Sequence, residues 1–99
     1  MSEIKVNSVV NSTGDNDSGL DLSTNDQVII KTANTTAVTV DSSQNTSVSG
    51  DLTIPDKIIH DGDTNTAIRF PSADTVTFET GGSERARVDS SGNLHVAVT

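Results

Sequence analysis

The sequence predicts an all-β protein made of two tandem units of short alternating strands, and three observations carry that expectation. Ser, Thr, Asn, Asp and Gly fill 53 of 99 positions, and their short polar groups suit turns and solvated strand faces, because they compete with the backbone hydrogen bonds of a helix. The apolar residues Ile4, Val6, Val10, Leu20, Leu22, Val28, Ile30, Val38, Val40 and Val48 all stand at even positions. A period of two turns one face of an extended strand toward a core and the other toward water. Finally, a shift of 48 residues aligns the two halves without a gap.

The alignment matches Gly14 and Asp15 with Gly62 and Asp63, Asp26 with Asp74, Val28 with Val76, and Thr32 with Thr80. The run Val40, Asp41, Ser42, Ser43 falls on Val88, Asp89, Ser90, Ser91, followed by Asn45 on Asn93 and Val48 on Val96. Ile4, Val6, Val10, Leu20, Leu22 and Ile30 fall on Leu52, Ile54, Ile58, Ile68, Phe70 and Phe78, so the apolar parity continues through the second half. The expected domains are therefore residues 1–48 and 49–99.

Taken in order, strands are expected over residues 3–10, 19–22, 27–32, 36–41 and 46–54, then 57–60, 67–70, 75–80, 84–89 and 93–98. The segments STGDNDS (12–18), STND (23–26), DSSQN (41–45), DGDTN (61–65), GGSE (81–84) and DSSGN (89–93) separate them. These supply Asx turns and positions that tolerate positive φ. Pro55 and Pro71 are placed at strand starts or edges, where a missing N–H is tolerated.

Charge and composition narrow the function. Net charge is −8 with six basic residues, so nucleic acid and anionic membrane are not expected partners, since both need clustered Lys and Arg. Cysteine is absent, which removes disulfides, thiolate nucleophiles and Cys-based zinc sites. No apolar run exceeds three residues, so neither a membrane-spanning helix nor a signal-peptide core is expected, and the product starts out soluble in the cytoplasm. No Ser/His/Asp arrangement with a structural context and no Gly-rich phosphate loop is present, and enzymatic activity is not expected.

Leu, Ile, Val and Phe fill only 24 positions, and both aromatic residues, Phe70 and Phe78, lie in the second half. Units with so thin a core normally need staples or neighbours. Sister copies are the expected neighbours, because short alternating strands from several chains can share one narrow core along an axis.

The stretch Ile54–Val96, IPDKIIHDGDTNTAIRFPSADTVTFETGGSERARVDSSGNLHV, resembles the repeat of tail-fibre and other virion-appendage proteins of tailed phages, marine ones especially. There, segments of the form DKIIHxGDxNTxIRFP and TxETxGxERxRVDSSGNV recur before variable distal domains. The resemblance covers 43 of 99 residues, while the first half keeps VDSS (Val40 to Ser43) without the Arg and Pro positions and is similar to a degenerate copy.

What the resemblance implies is an interlaced, β-rich, non-enzymatic homotrimer in the virion that forms or anchors a fibre or spike and contacts other tail or capsid proteins. Because the chain stops at Thr99, before any Gly-rich segment or receptor-binding tip, extension or anchoring is expected rather than receptor recognition. A capsid decoration, or cement, protein is the alternative. A calcium- or glycan-binding adhesin module is a further one, disfavoured by the lack of aromatic side chains for sugar stacking.

Candidate interface residues in the second half are Ile68, Phe70, Val76, Phe78 and Val88, together with Arg69, Arg85 and Arg87. The arginines are expected to pair between subunits, so that Arg→Ala changes weaken assembly more than monomer folding. Asp15, Asp17 and Asp21, and Asp61, Asp63 and Asn65, carry the alternate-residue oxygen spacing of calcium loops. Counted from Asp15 the sixth position is Leu20, and from Asp61 it is Thr66; both fail the glycine requirement, and solvated Asx turns are expected. No metal or other cofactor is expected, and His60 and His95 are read as surface or interface polar residues.

Overall fold

The computed structural model describes residues 2–97 of the chain. It contains strands and turns and, among the described residues, no helix. The chain divides into two units, Met1–Leu52 and Thr53–Thr99, with the division four residues beyond the expected one.

The first unit is a five-stranded antiparallel meander of β1 (Ser8–Val10), β2 (Gly19–Asp21), β3 (Val28–Thr32), β4 (Thr35–Val40) and β5 (Thr46–Val48), in spatial order β1-β2-β3-β4-β5. The second is a separate sheet of β6 (Lys57–His60), β7 (Asp63–Arg69), β8 (Val76–Thr80), β9 (Ser83–Val88) and β10 (Leu94–Val96), likewise in sequential order. Every expected strand core is present, but several strands are shorter than expected, and β7 is longer, beginning at Asp63 inside the DGDTN segment that was expected to be a turn. Ile4 and Val6 precede β1, Leu52 and Ile54 follow β5, and Val98 lies outside the described residues.

The central hairpin of each sheet shows how the apolar parity is kept. Ala33 and Asn34 (φ 50° and 56°) link β3 to β4, and Gly81 and Gly82 (φ 58° and 78°) link β8 to β9. Both are two-residue turns with positive φ at each centre, the type I′ geometry that matches strand twist. A two-residue loop pairs even positions with odd ones: Thr32 faces Thr35 and Lys31 faces Thr36. Continued unbroken, that register would put Ile30 opposite Ala37. Instead it shifts by one residue, so that Ile30 faces Val38 and Val28 faces Val40. In the second sheet, Glu79 faces Glu84, the register shifts, and Phe78 faces Ala86 while Val76 faces Val88. A one-residue bulge thus restores apolar-to-apolar pairing across a turn that would otherwise lose it.

The loops leading into β5 and β10 are built alike. Asp41 Oδ1 accepts the amides of Ser43 (2.9 Å) and Asn45 (3.0 Å), while its carbonyl accepts Gln44 N (3.0 Å). Asp89 Oδ1 accepts the amides of Ser91 (3.0 Å) and Asn93 (2.9 Å), while its carbonyl accepts Gly92 N (2.9 Å). A carboxylate that gathers backbone donors in this way fixes a five-residue loop without apolar packing.

One register departs from the sequence expectation. In β1, Val9 rather than Val10 faces Leu20, and Val10 faces Gly19. A Cβ on Gly19 would lie 1.9 Å from the Val9 carbonyl oxygen, so only glycine permits this approach of the backbones.

Two stability outcomes follow from these backbones. Ala33 is an L-residue with a side chain in the left-handed region, so Ala33→Gly should stabilise the chain by about 1 kcal/mol, read as a higher melting temperature. Gly19→Ala should release β1, read as lost amide-exchange protection at Val9 and Val10 with β8 and β9 still protected.

Candidate functional site

Residues directly opposite in an antiparallel pair project on the same side of the sheet. In the second unit this aligns Ile58, Ile68, Phe78, Ala86 and Val96 in one row across all five strands, with Val76, Val88 and Leu94 in the next. In the first unit the corresponding row is Val9, Leu20, Ile30, Val38 and Val48, beside Val28 and Val40. Each sheet therefore has one continuous apolar face.

Those faces are uncovered. Ile58 is 50% exposed, Ile68 38%, Phe78 42% and Val96 66%. Val9, Leu20, Val28, Ile30 and Val48 are exposed in the first sheet. Sheets normally bury such a face against a second layer, and among the described residues of each unit there is none. A shallow hollow of about 410 Å³ is lined by Ile58, Ile68, Phe78 and Thr80 together with Ile59, His60, Ala67 and Glu79.

The opposite face of the second sheet carries the charges, and it also holds the buried residues. Lys57, Arg69, Thr77, Arg87 and His95 form a row there. Among the described residues, Ala67, Thr75 and Thr77 are buried, and Thr77, flanked by the two arginines, is 1% exposed with its hydroxyl unpaired. Arg69 is held at both ends of its fork: Nη2 and Nε reach Asp56 (2.9 and 3.2 Å), and Nη1 reaches Glu79 (3.0 Å). The Arg69 guanidinium in turn holds the Asp56 carboxyl below the usual carboxylate range. Arg87 pairs with Glu84 (2.6 Å), and His95 Nε2 lies 2.7 Å from Asp89 Oδ2.

The eight candidate interface residues thus separate. Ile68, Val76, Phe78 and Val88 share the apolar face, and Phe70 continues the β7 alternation just beyond the strand. Arg69 and Arg87 lie on the other face with partners in their own chain. Arg85 is the extra residue of the β9 bulge, and its Nε donates to Thr80 Oγ1 (2.9 Å). Arg69 and Arg87 thus have ion-pair partners within their own chain. Sequence reasoning did not single out Asp56 and Glu79 as partners of Arg69. Their proximity depends on strand register, which places Glu79 diagonally across from Arg69 through Thr77.

The Asp-rich loops are occupied by local bonds. Asp17 shares a hydrogen bond with Asp15 that raises its pKa, and it accepts Ser18 Oγ (3.4 Å). Asp21 turns to Ser23 and to Lys31 (3.1 Å), and the Ser23 hydroxyl and amide, then Lys31, lower its carboxyl to about 2. Asp63 accepts Thr66 Oγ1 (2.8 Å) and lies 3.7 Å from His60. Among the described residues no group of three or more His, Asp or Glu side chains is placed to hold a metal. A groove of about 260 Å³ in the first unit, lined by Asn7, Asp17, Asp21 and Lys31 among others, has no aromatic wall. No helix among the described residues is long and apolar enough to cross a membrane.

Comparison with known proteins finds no matching family model, no matching characterised protein and no matching solved structure.

Hydrogen bonds to the ionised form depress Asp41 (from Asn45 N and Ser43 N) and Asp89 (from His95 first, then Asn93 N and Ser91 N). A carboxylate whose folded pKa is depressed contributes stability above its unfolded value near 3.8, and that contribution is lost as pH falls through the lower folded value. The melting temperature should therefore fall as pH drops below about 5. Asp41→Asn with Asp89→Asn, which keeps the Oδ1 acceptors but removes the titration, should flatten that fall. Arg69→Ala should lower the stability of the second sheet in the isolated chain, measured by urea unfolding.

Proposed function

We propose that this chain is a structural component of a tailed-phage particle, a β-structured homotrimer that forms or anchors a fibre or spike and contacts other virion proteins. The observation that carries the reading is the uncovered apolar face on each five-stranded sheet. Such a surface is marginal in water, and copies of the same chain packed around an axis remove it from water. The resemblance of Ile54–Val96 to appendage repeats supplies the particle as the setting.

The two units read as a duplication. Moving β3, β4 and β5 forward by 48 positions gives the bounds of β8, β9 and β10. The same shift carries Gly14, Asp26, Ala33, Asn34 and Gln44 onto Gly62, Asp74, Gly81, Gly82 and Gly92, all with positive φ. It also carries the β4 bulge at Ala37 onto the β9 bulge at Arg85. Repeating a unit that leaves the same face open is a means of lengthening a rod, since each added unit offers its neighbours nearly the same contacts. The role is mechanical, with no catalytic step. The acidic exterior, at net charge −8, keeps the assembly soluble and discourages edge-to-edge aggregation.

Light scattering on the purified chain should give the mass of three 10.3 kDa chains, about 31 kDa, with a melting temperature that rises with protein concentration. Small-angle scattering should give an elongated particle; a compact trimer would favour the cement role on the head. A monomer whose melting is independent of concentration would sink the trimeric reading. Absence of the chain from purified phage particles would sink the virion reading.

A further inference from the structure

We infer that sister copies meet through the apolar face of the second sheet, with Ile58, Ile68, Phe78, Val88 and Val96 at the contact, while the Arg69–Glu79 face stays in solvent. This rests on the trimeric reading above and names its surface. Three observations select this face and this occupant.

Charge is the first. The two apolar rows contain no ionisable side chain, whereas the opposite face carries Lys57, Arg69, Arg87 and His95 in one row, with Glu79 and Glu84 beside it. Copies that each carry −8 repel one another, and that repulsion is smallest where the meeting surface has no charge. A basic partner, by contrast, would be drawn to the acidic loops. The charged face also has little to offer a neighbour, because Arg69 is already held by Asp56 and Glu79, and Arg87 by Glu84.

Area is the second. Ile58, Ile68, Phe70, Phe78, Val88, Leu94 and Val96 are each exposed. Seven such residues, exposed by 36% to 67%, present on the order of 600 Å², at the top of the ~300–600 Å² range of the largest patch on a monomer. That is most of the ~800 Å² each partner gives to a standard interface.

Shape is the third. The hollow, whose lining includes Ile58, Ile68 and Phe78 together with His60 and Glu79, can receive projecting side chains of an identical neighbour at its apolar side, and a closed ring of like copies supplies both the hollow and the projection from one sequence. Within the ring each face is shared between two neighbours, so three narrow sheets suffice to exclude water from the axis.

The chain has no cysteine, so single-cysteine variants report the contact directly. Val88→Cys and Ile68→Cys should cross-link into covalent dimers with a short bismaleimide in several-fold higher yield than His95→Cys, which places the thiol on the charged face. Ile68→Asp should dissociate the assembly to a monomer that keeps its strand circular-dichroism signal. If it fails to fold, the cysteine pair still decides. A trimer by light scattering in which His95→Cys cross-links and the other two do not would overturn this surface while leaving the trimer standing. A wild-type chain that is monomeric by light scattering would overturn the trimer and this surface together.

Discussion

The structure depends on one geometric constraint, the segregation of apolar side chains onto a single face of a sheet whose tightest turn works against it. Side chains alternate sides with a period of two, so a two-residue turn joins an even position on one strand to an odd one on the next. A sequence that keeps its apolar residues at even positions throughout would scatter them over both faces at every such turn. The bulges at Ala37 and Arg85 cancel that displacement. With them, Ile30 meets Val38 and Phe78 meets Ala86; without them, each sheet would have two mixed faces.

How far the fold was legible follows from the same geometry. Even parity and the polar turn clusters marked the strand cores, and the DSSQN and DSSGN segments already held the Asp-to-amide pattern that closes the loops before β5 and β10. The bulges were implicit: even-numbered apolar residues on both sides of a two-residue turn require one extra residue between them. What the sequence did not disclose is the register of β1, where Val9 takes the place parity assigned to Val10. That choice is set by contact of the Gly19 backbone with Val9, a tertiary fact that alternation does not encode. The partners of Arg69 were hidden for the same reason. Asp56 precedes β6, Glu79 lies on β8, and only the pairing of three strands brings both carboxylates to one guanidinium.

The charged face explains how a sheet this thin holds a shape. The deepest side chain, Thr77, lies between Arg69 and Arg87 rather than among aliphatic residues. The apolar stems of long basic side chains can cover neighbouring surface while their heads remain in water, and the carboxylates of Asp56, Glu79 and Glu84 fix the heads in place. Exposed ion pairs contribute little individually. Here their effect is mainly positional, holding Arg69 and Arg87 on the face that carries Thr77 and away from the apolar rows.

This division of labour bears on why the apolar face remains open. A chain that buried both faces of each sheet would need a second layer of comparable size, and 24 large aliphatic and aromatic residues in 99 are too few to furnish one for two sheets. In the second sheet the ion-paired arginines take one face and the apolar rows the other, so strands and turns form locally with little hydrophobic burial inside the unit. The turns before β5 and β10 are fixed by the Asp41 and Asp89 hydrogen bonds within each five-residue loop, so their shape does not wait on apolar packing elsewhere in the sheet.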